Sequence, residues 1–89
     1  MSFTHGMNVE QVRQLGNSLQ AKAEEIRTLI SQLEGQLNST TWEGPDAQQF
    51  KGSWWPEHKN NLLQAAEGLN GFGQAALNNA SEQEATSSR

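Results

Sequence analysis

Val12, Leu19, Ile26 and Leu33 recur every seven residues without a miss, and no other feature limits this chain as strongly. Leu15, Ala23, Leu29, Ile30 and Leu37 fill the intermediate sites. The pattern draws an apolar stripe along one amphipathic helix. Held over four repeats, it implies left-handed, coiled-coil-like packing against a partner helix. No stretch carries a strand signal.

The boundaries of this helix are written locally. Asn8 is a good N-cap, Gln11 completes a capping-box-like pair, and Met7 and Val12 occupy the staple positions. Asn38 and Ser39 end it, so the first helix is expected over residues 9–38, roughly 45 Å long. After a turn over residues 39–44, Gly44 suits an N-cap, Pro45 suits the first helical position, and Asp46 complements the helix dipole. Ala47, Phe50, Trp54, His58, Leu62, Ala65, Leu69, Phe72 and Ala76 then follow at helical spacings. A second helix is expected over residues 45–82. Pro56 inside it predicts a kink near residues 52–56. Gly68, Gly71 and Gly73 each cost about 1 kcal/mol relative to alanine and predict fraying or a bend. Residues 85–89 read as a flexible polar tail.

The expected fold class is therefore all-α: a single domain over residues 1–84, built as a hairpin of two long antiparallel helices. The stripes are wider than one helix–helix contact requires. Leu29 and Ile30 are adjacent, as are Trp54 and Trp55, and Leu62 and Leu63. Consecutive positions point in different directions, so Trp54 is expected to continue the stripe from Phe50, with Trp55 across a dimer seam or on the surface. A chain of 89 residues with 34% hydrophobic content does not easily stabilise two helices alone. A second hairpin, completing a four-helix bundle, is the economical solution. The first helix carries three basic and four acidic residues, a balance that suits a homodimer; a heterodimer with a related chain is the alternative. The expected dimer or hairpin core is Val12, Leu19, Ile26, Leu33, Phe50, Trp54, Leu62 and Leu69.

Composition narrows the function classes. A net charge of −4 argues against nucleic acid and against an anionic membrane surface. No apolar run is long enough to insert stably in a membrane, and "MSFTHGMNVE" lacks the basic and apolar regions of a signal peptide. The chain has no cysteine, and His5 and His58 have no clustered ligands, so neither a metal nor another cofactor is expected. His5 lies in an N-terminal stretch read as flexible. Asp46 and His58 lie about three helical turns apart, and Glu24 and Glu25 point about 100° apart, so neither pair makes an acid–base site. There is no nucleophile elbow and no phosphate-cradling glycine loop. Hence no enzyme is expected.

One feature remains: a tryptophan in the turn "TTWEGPDAQQF". Trp42 either closes the end of the hairpin, with Gly44 supplying a positive φ or a site without a Cβ, or is presented at the tip for another protein. The pattern Trp42-x-Gly44-x-x-Ala47-x-x-Phe50, followed by Trp54, at the midpoint of two heptad-like helices, resembles the WXG family. These are the early-secreted-antigen-like helical hairpins of type VII (ESX) secretion in actinobacteria and other Gram-positive bacteria. The resemblance covers residues 7–84. It implies a dimer exported folded from the cytoplasm without a cleaved signal, or escorting a substrate. Trp42 and Gly44 would form part of what a secretion ATPase recognises. The family's second signal, Tyr-x-x-x-Asp/Glu after the second helix, has no counterpart: the chain has no tyrosine, and Ala80 and Glu84 hold only the spacing. Two other functions fit a helical hairpin, an intracellular coiled-coil adaptor and a membrane-active helix. The acidic charge weakens the second.

Overall fold

The computed structural model describes residues 6–87, so His5 and residues 88–89 of the expected tail lie outside it. The described residues are helical throughout except for the ends and one turn, and contain no strand. They form an elongated hairpin, with overall extents of 66 × 17 × 15 Å. Helix α1 spans Val9–Ser39. Asn8 caps it from an extended conformation, its side-chain oxygen accepting from the Gln11 N–H at 3.1 Å. At the other end, the Ser39 and Thr40 hydroxyls both donate to the Gln36 carbonyl, at 3.1 and 2.6 Å. Those local bonds satisfy an acceptor that the helix leaves open and stop it where the sequence says.

The return arm starts at Gly44, whose φ of 108° and ψ of 177° lie in a region only glycine enters freely. A Cβ added there would meet nothing within 4 Å, so the requirement for glycine is conformational rather than steric. Pro45 opens the short helix α2, Pro45–Gln49. A π-helical segment, Phe50–Trp54, follows, and then helix α3, Trp55–Ser87. The departure expected near Pro56 thus takes the form of a widened turn, in which the Trp55 N–H bonds to the Phe50 carbonyl. A proline ring in a regular helix presses on the carbonyl four residues back, here that of Gly52; a wider turn relieves this.

Two expectations change. Helix α3 runs through Gly68, Gly71 and Gly73 without a break. It also continues to Ser87, past residue 82, so residues 85–87 are helical. The buried residues explain the first difference. Along α1 they are Gly16, Ala23 and Ile30; along α3 they include Ala66, Gly73 and Ala80. Each set recurs every seven residues, so the seam has the expected period but a different phase. Gly16 and Gly73 meet across it: a Cβ on Gly73 would lie 2.7 Å from the Gly16 carbonyl oxygen, and one on Gly16 would lie 2.9 Å from that of Gly73. Gly73 therefore breaks no helix; it lets two backbones touch.

Candidate functional site: one apolar face and the groove at its turn end

The seam has two unlike edges. On one, polar side chains cross between the helices. Arg13 pairs with Glu84 at 2.9 Å, and with Glu10 on its own helix at 2.8 Å. The Gln20 amide donates to Gln74 at 3.3 Å. Glu34 accepts from Lys59 at 2.7 and 2.9 Å and from the Trp55 indole N–H at 3.1 Å. The Lys59 bond, then the Trp55 bond, hold the Glu34 carboxyl below the usual carboxylate value. Glu24 and Glu25 serve separate local pairs, with Arg27 at 3.6 Å and Lys22 at 3.2 Å.

The other edge is apolar and open. Leu15, Leu29, Leu33, Trp42, Trp54, Leu62 and Phe72 are all exposed, from 38% at Trp42 to 69% at Phe72. Their positions relative to the seam explain why they share a face. On α1, Leu15 and Leu29 precede seam residues Gly16 and Ile30 by one, and Leu19 and Ile26 precede Ala23 and Ile30 by four. On α3, Phe72 precedes Gly73 by one, while Leu62 and Leu69 precede Ala66 and Gly73 by four. Equal offsets on two antiparallel helices fall on the same side of their contact plane. One broad, mainly apolar face results, with Lys22, one residue before Ala23, at the same offset between Leu15 and Leu29.

Little apolar bulk remains for the hairpin core. Among the described residues the buried hydrophobic ones are Ala23, Ile30, Ala47, Ala66 and Ala80, and no large side chain is fully buried. The accessible surface is 6398 Å². A compact monomer of this mass exposes about 5,200 Å².

At the turn end the face deepens into a groove of about 460 Å³, walled by Leu33, Leu37, Trp42, Phe50, Trp54 and Trp55. Gln36 and Thr40 are its only polar lining residues, and none is charged. A run of rings leads away from it. Trp42 lies 5.2 Å from Phe50, Phe50 stacks on Trp54 at 4.8 Å, and Trp54 meets His58 at 4.1 Å, centroid to centroid. Lys51 donates to the Trp42 carbonyl at 3.2 Å, tying the turn to the π-helical segment.

The candidate residues therefore divide. Val12, Leu19, Ile26, Phe50 and Leu69 are half-buried, while Leu33, Trp54 and Leu62 are exposed on the open face and do not form the hairpin core. Bulky side chains cannot occupy a seam where backbones approach this closely, so they flank it. Trp54 continues the ring stripe from Phe50, stacked on it at 4.8 Å, but on the open face; Trp55, expected at a dimer seam or on the surface, instead reaches across the hairpin to Glu34. His58 is half-buried against Trp54. Trp42 closes one wall of the groove yet stays partly exposed, so both of its readings persist. The small-residue seam was missed by sequence reasoning, although its seven-residue spacing, Gly16 to Ala23 and Ala66 to Gly73 to Ala80, was available as a signal.

No helix among the described residues is long and apolar enough to cross a membrane. The chain matches no family model, no curated protein and no solved structure.

Proposed function

We propose that this chain is a non-enzymatic interaction module that works as a dimer of hairpins in a four-helix bundle. By its resemblance to the WXG family, it is exported by a type VII secretion system or escorts a substrate through one. The open apolar face carries the proposal. Seven large exposed side chains line or border it, beside a hairpin core made almost entirely of alanine. Contiguous apolar surface of this extent marks a protein contact, and an unfinished bundle is completed by two more helices. Support for the export role is narrower: Trp42 and Gly44 sit at the tip between two long helices, Trp42 partly exposed and Gly44 in its glycine-only conformation.

Two measurements test the parts separately. Sedimentation equilibrium should give a mass near twice 9.8 kDa across a concentration series. Fractionation of a host with a type VII system should find the chain outside the cell and Trp42→Ala retained inside, with helical circular dichroism unchanged. If wild type and variant both stay inside, export is refuted and an intracellular coiled-coil adaptor is the better description.

A further inference from the structure

We infer that the Trp55 ring is a gate between two clefts at the turn end and that the Glu34 carboxylate is its latch: while the latch holds, the aromatic groove stands open, and when it is released the ring turns into the groove and fills it. As regulation of the open face, this rests on reading that face as a protein contact; as a statement about the ring, it stands on the hairpin alone. The place of Trp55 is the first observation. The aromatic groove lies on one side of it, and a second cleft of about 420 Å³, holding Glu34, Lys51 and Lys59, lies on the other. Only Leu37 and Trp55 line both. What holds the ring is the second observation. Trp42, Phe50, Trp54 and His58 are joined ring to ring, yet Trp55, which walls the groove with the first three, makes no ring contact among the described residues. Its indole N–H donates to Glu34 instead, at 3.1 Å.

The two attachments compete. A hydrogen bond to a charged acceptor outweighs a pair of packed rings, whereas one to a neutral acceptor is of the same order as ring pairing. An ionised Glu34 therefore keeps the ring on the polar side, and an uncharged side chain there does not. The surroundings of Glu34 favour the ionised form. Its two oxygens accept from Lys59 on α3, and Lys51 of the π-helical segment lines the same cleft. No second carboxylate lines that cleft, and no charged residue lies within one helical turn of Glu34 on α1. The gate needs no backbone movement. The Trp55 N–H stays bonded to the Phe50 carbonyl, so side-chain torsions alone carry the half-buried ring across. The groove that receives it, about 460 Å³, has no charged lining residue to oppose an apolar ring.

Three tryptophans give three indole N–H signals in a nitrogen-15 spectrum of the full chain, and Trp55→Phe identifies the one that belongs to the gate. At neutral pH the Trp55 indole N–H of wild type should exchange with water on the order of tenfold more slowly than that of Glu34→Ala, with Glu34→Gln between them. In Glu34→Ala the Trp55 ring should also gain through-space contacts with the Phe50 and Trp42 rings. Acidifying wild type through the titration of Glu34 should bring its spectrum to that of Glu34→Gln, which itself should not respond in that range. Circular dichroism confirms that each variant keeps its helicity. Equal exchange in wild type and Glu34→Ala overturns the latch, and a released ring that gains no contact with Phe50 or Trp42 overturns the gate. These signals follow the ring rather than association, so the dimer stands or falls separately by sedimentation.

Discussion

Gly73→Ala compared with Gly71→Ala isolates the close approach of the two helices. Both glycines lie inside α3, so both substitutions gain about 0.8–1.0 kcal/mol of helix propensity, and that gain cancels in the comparison. The surroundings do not cancel. A Cβ at Gly71 meets nothing within 4 Å. One at Gly73 lies 2.6 Å from the Gln20 Cγ, 2.7 Å from the Gly16 carbonyl oxygen and 3.2 Å from the Gln20 backbone nitrogen. The Gln20 side chain can swing aside, but the two backbone atoms move only if α1 does. Overpacking of this kind costs about 1–3 kcal/mol. Gly71→Ala should thus stabilise the protein by roughly 0.5–1 kcal/mol, and Gly73→Ala should fall about 1–3 kcal/mol below it. For a domain of this size each kcal/mol shifts the melting temperature by about 4–8 °C. Thermal unfolding followed by circular dichroism resolves the gap, provided protomer concentration is held constant, since association adds to apparent stability. Equal melting temperatures for the two variants would refute the seam as described.

Three further outcomes are expected. Gly44→Ala should lose about 1–3 kcal/mol through backbone strain alone, and Gly44→Asn should do no better, because φ 108° with ψ 177° is not the left-handed helical region that asparagine tolerates; chemical denaturation of both variants checks this. Asn8→Ala should cost about 1 kcal/mol by leaving the Gln11 N–H without its cap, read as a lowered melting temperature. Because Lys59 and Trp55 lower the Glu34 carboxyl, its contribution is present above the ordinary carboxylate range and is lost as pH falls through the lowered folded value. The stability advantage of wild type over Glu34→Gln should therefore shrink as the pH is taken down through that range, whereas a constant gap would show that the ionised carboxylate is not what matters.

How much was legible in the sequence depended on the range of the interaction. Asn8, Gly44 and Pro45 act on atoms within a few residues, so the helix starts could be read from them directly. Pro56 marked a local disturbance, but its form, a widened turn over Phe50–Trp54 rather than a kink, was not written in the proline itself. The triplet Gly68, Gly71 and Gly73 illustrates the limit. By propensity the three are alike, yet Gly68 and Gly71 face open space while Gly73 lies against Gly16, fifty-seven residues earlier in the chain.

The sequence by itself determined that this chain forms two long helices joined by a tryptophan-bearing turn, because caps, proline, glycine and a seven-residue period are all local instructions. Tertiary structure alone decided the phase of the contact. The helices close on their smallest residues, with Gly16 and Gly73 letting the backbones meet, and that closure turns the large side chains outward. The same closure carries Trp55 to Glu34, leaves Trp54 outside, and opens a groove between the turn and the first helix. A heptad states that one face of a helix is apolar. Which part of that face touches its neighbour depends on the shape of the other helix, and no single helix encodes that.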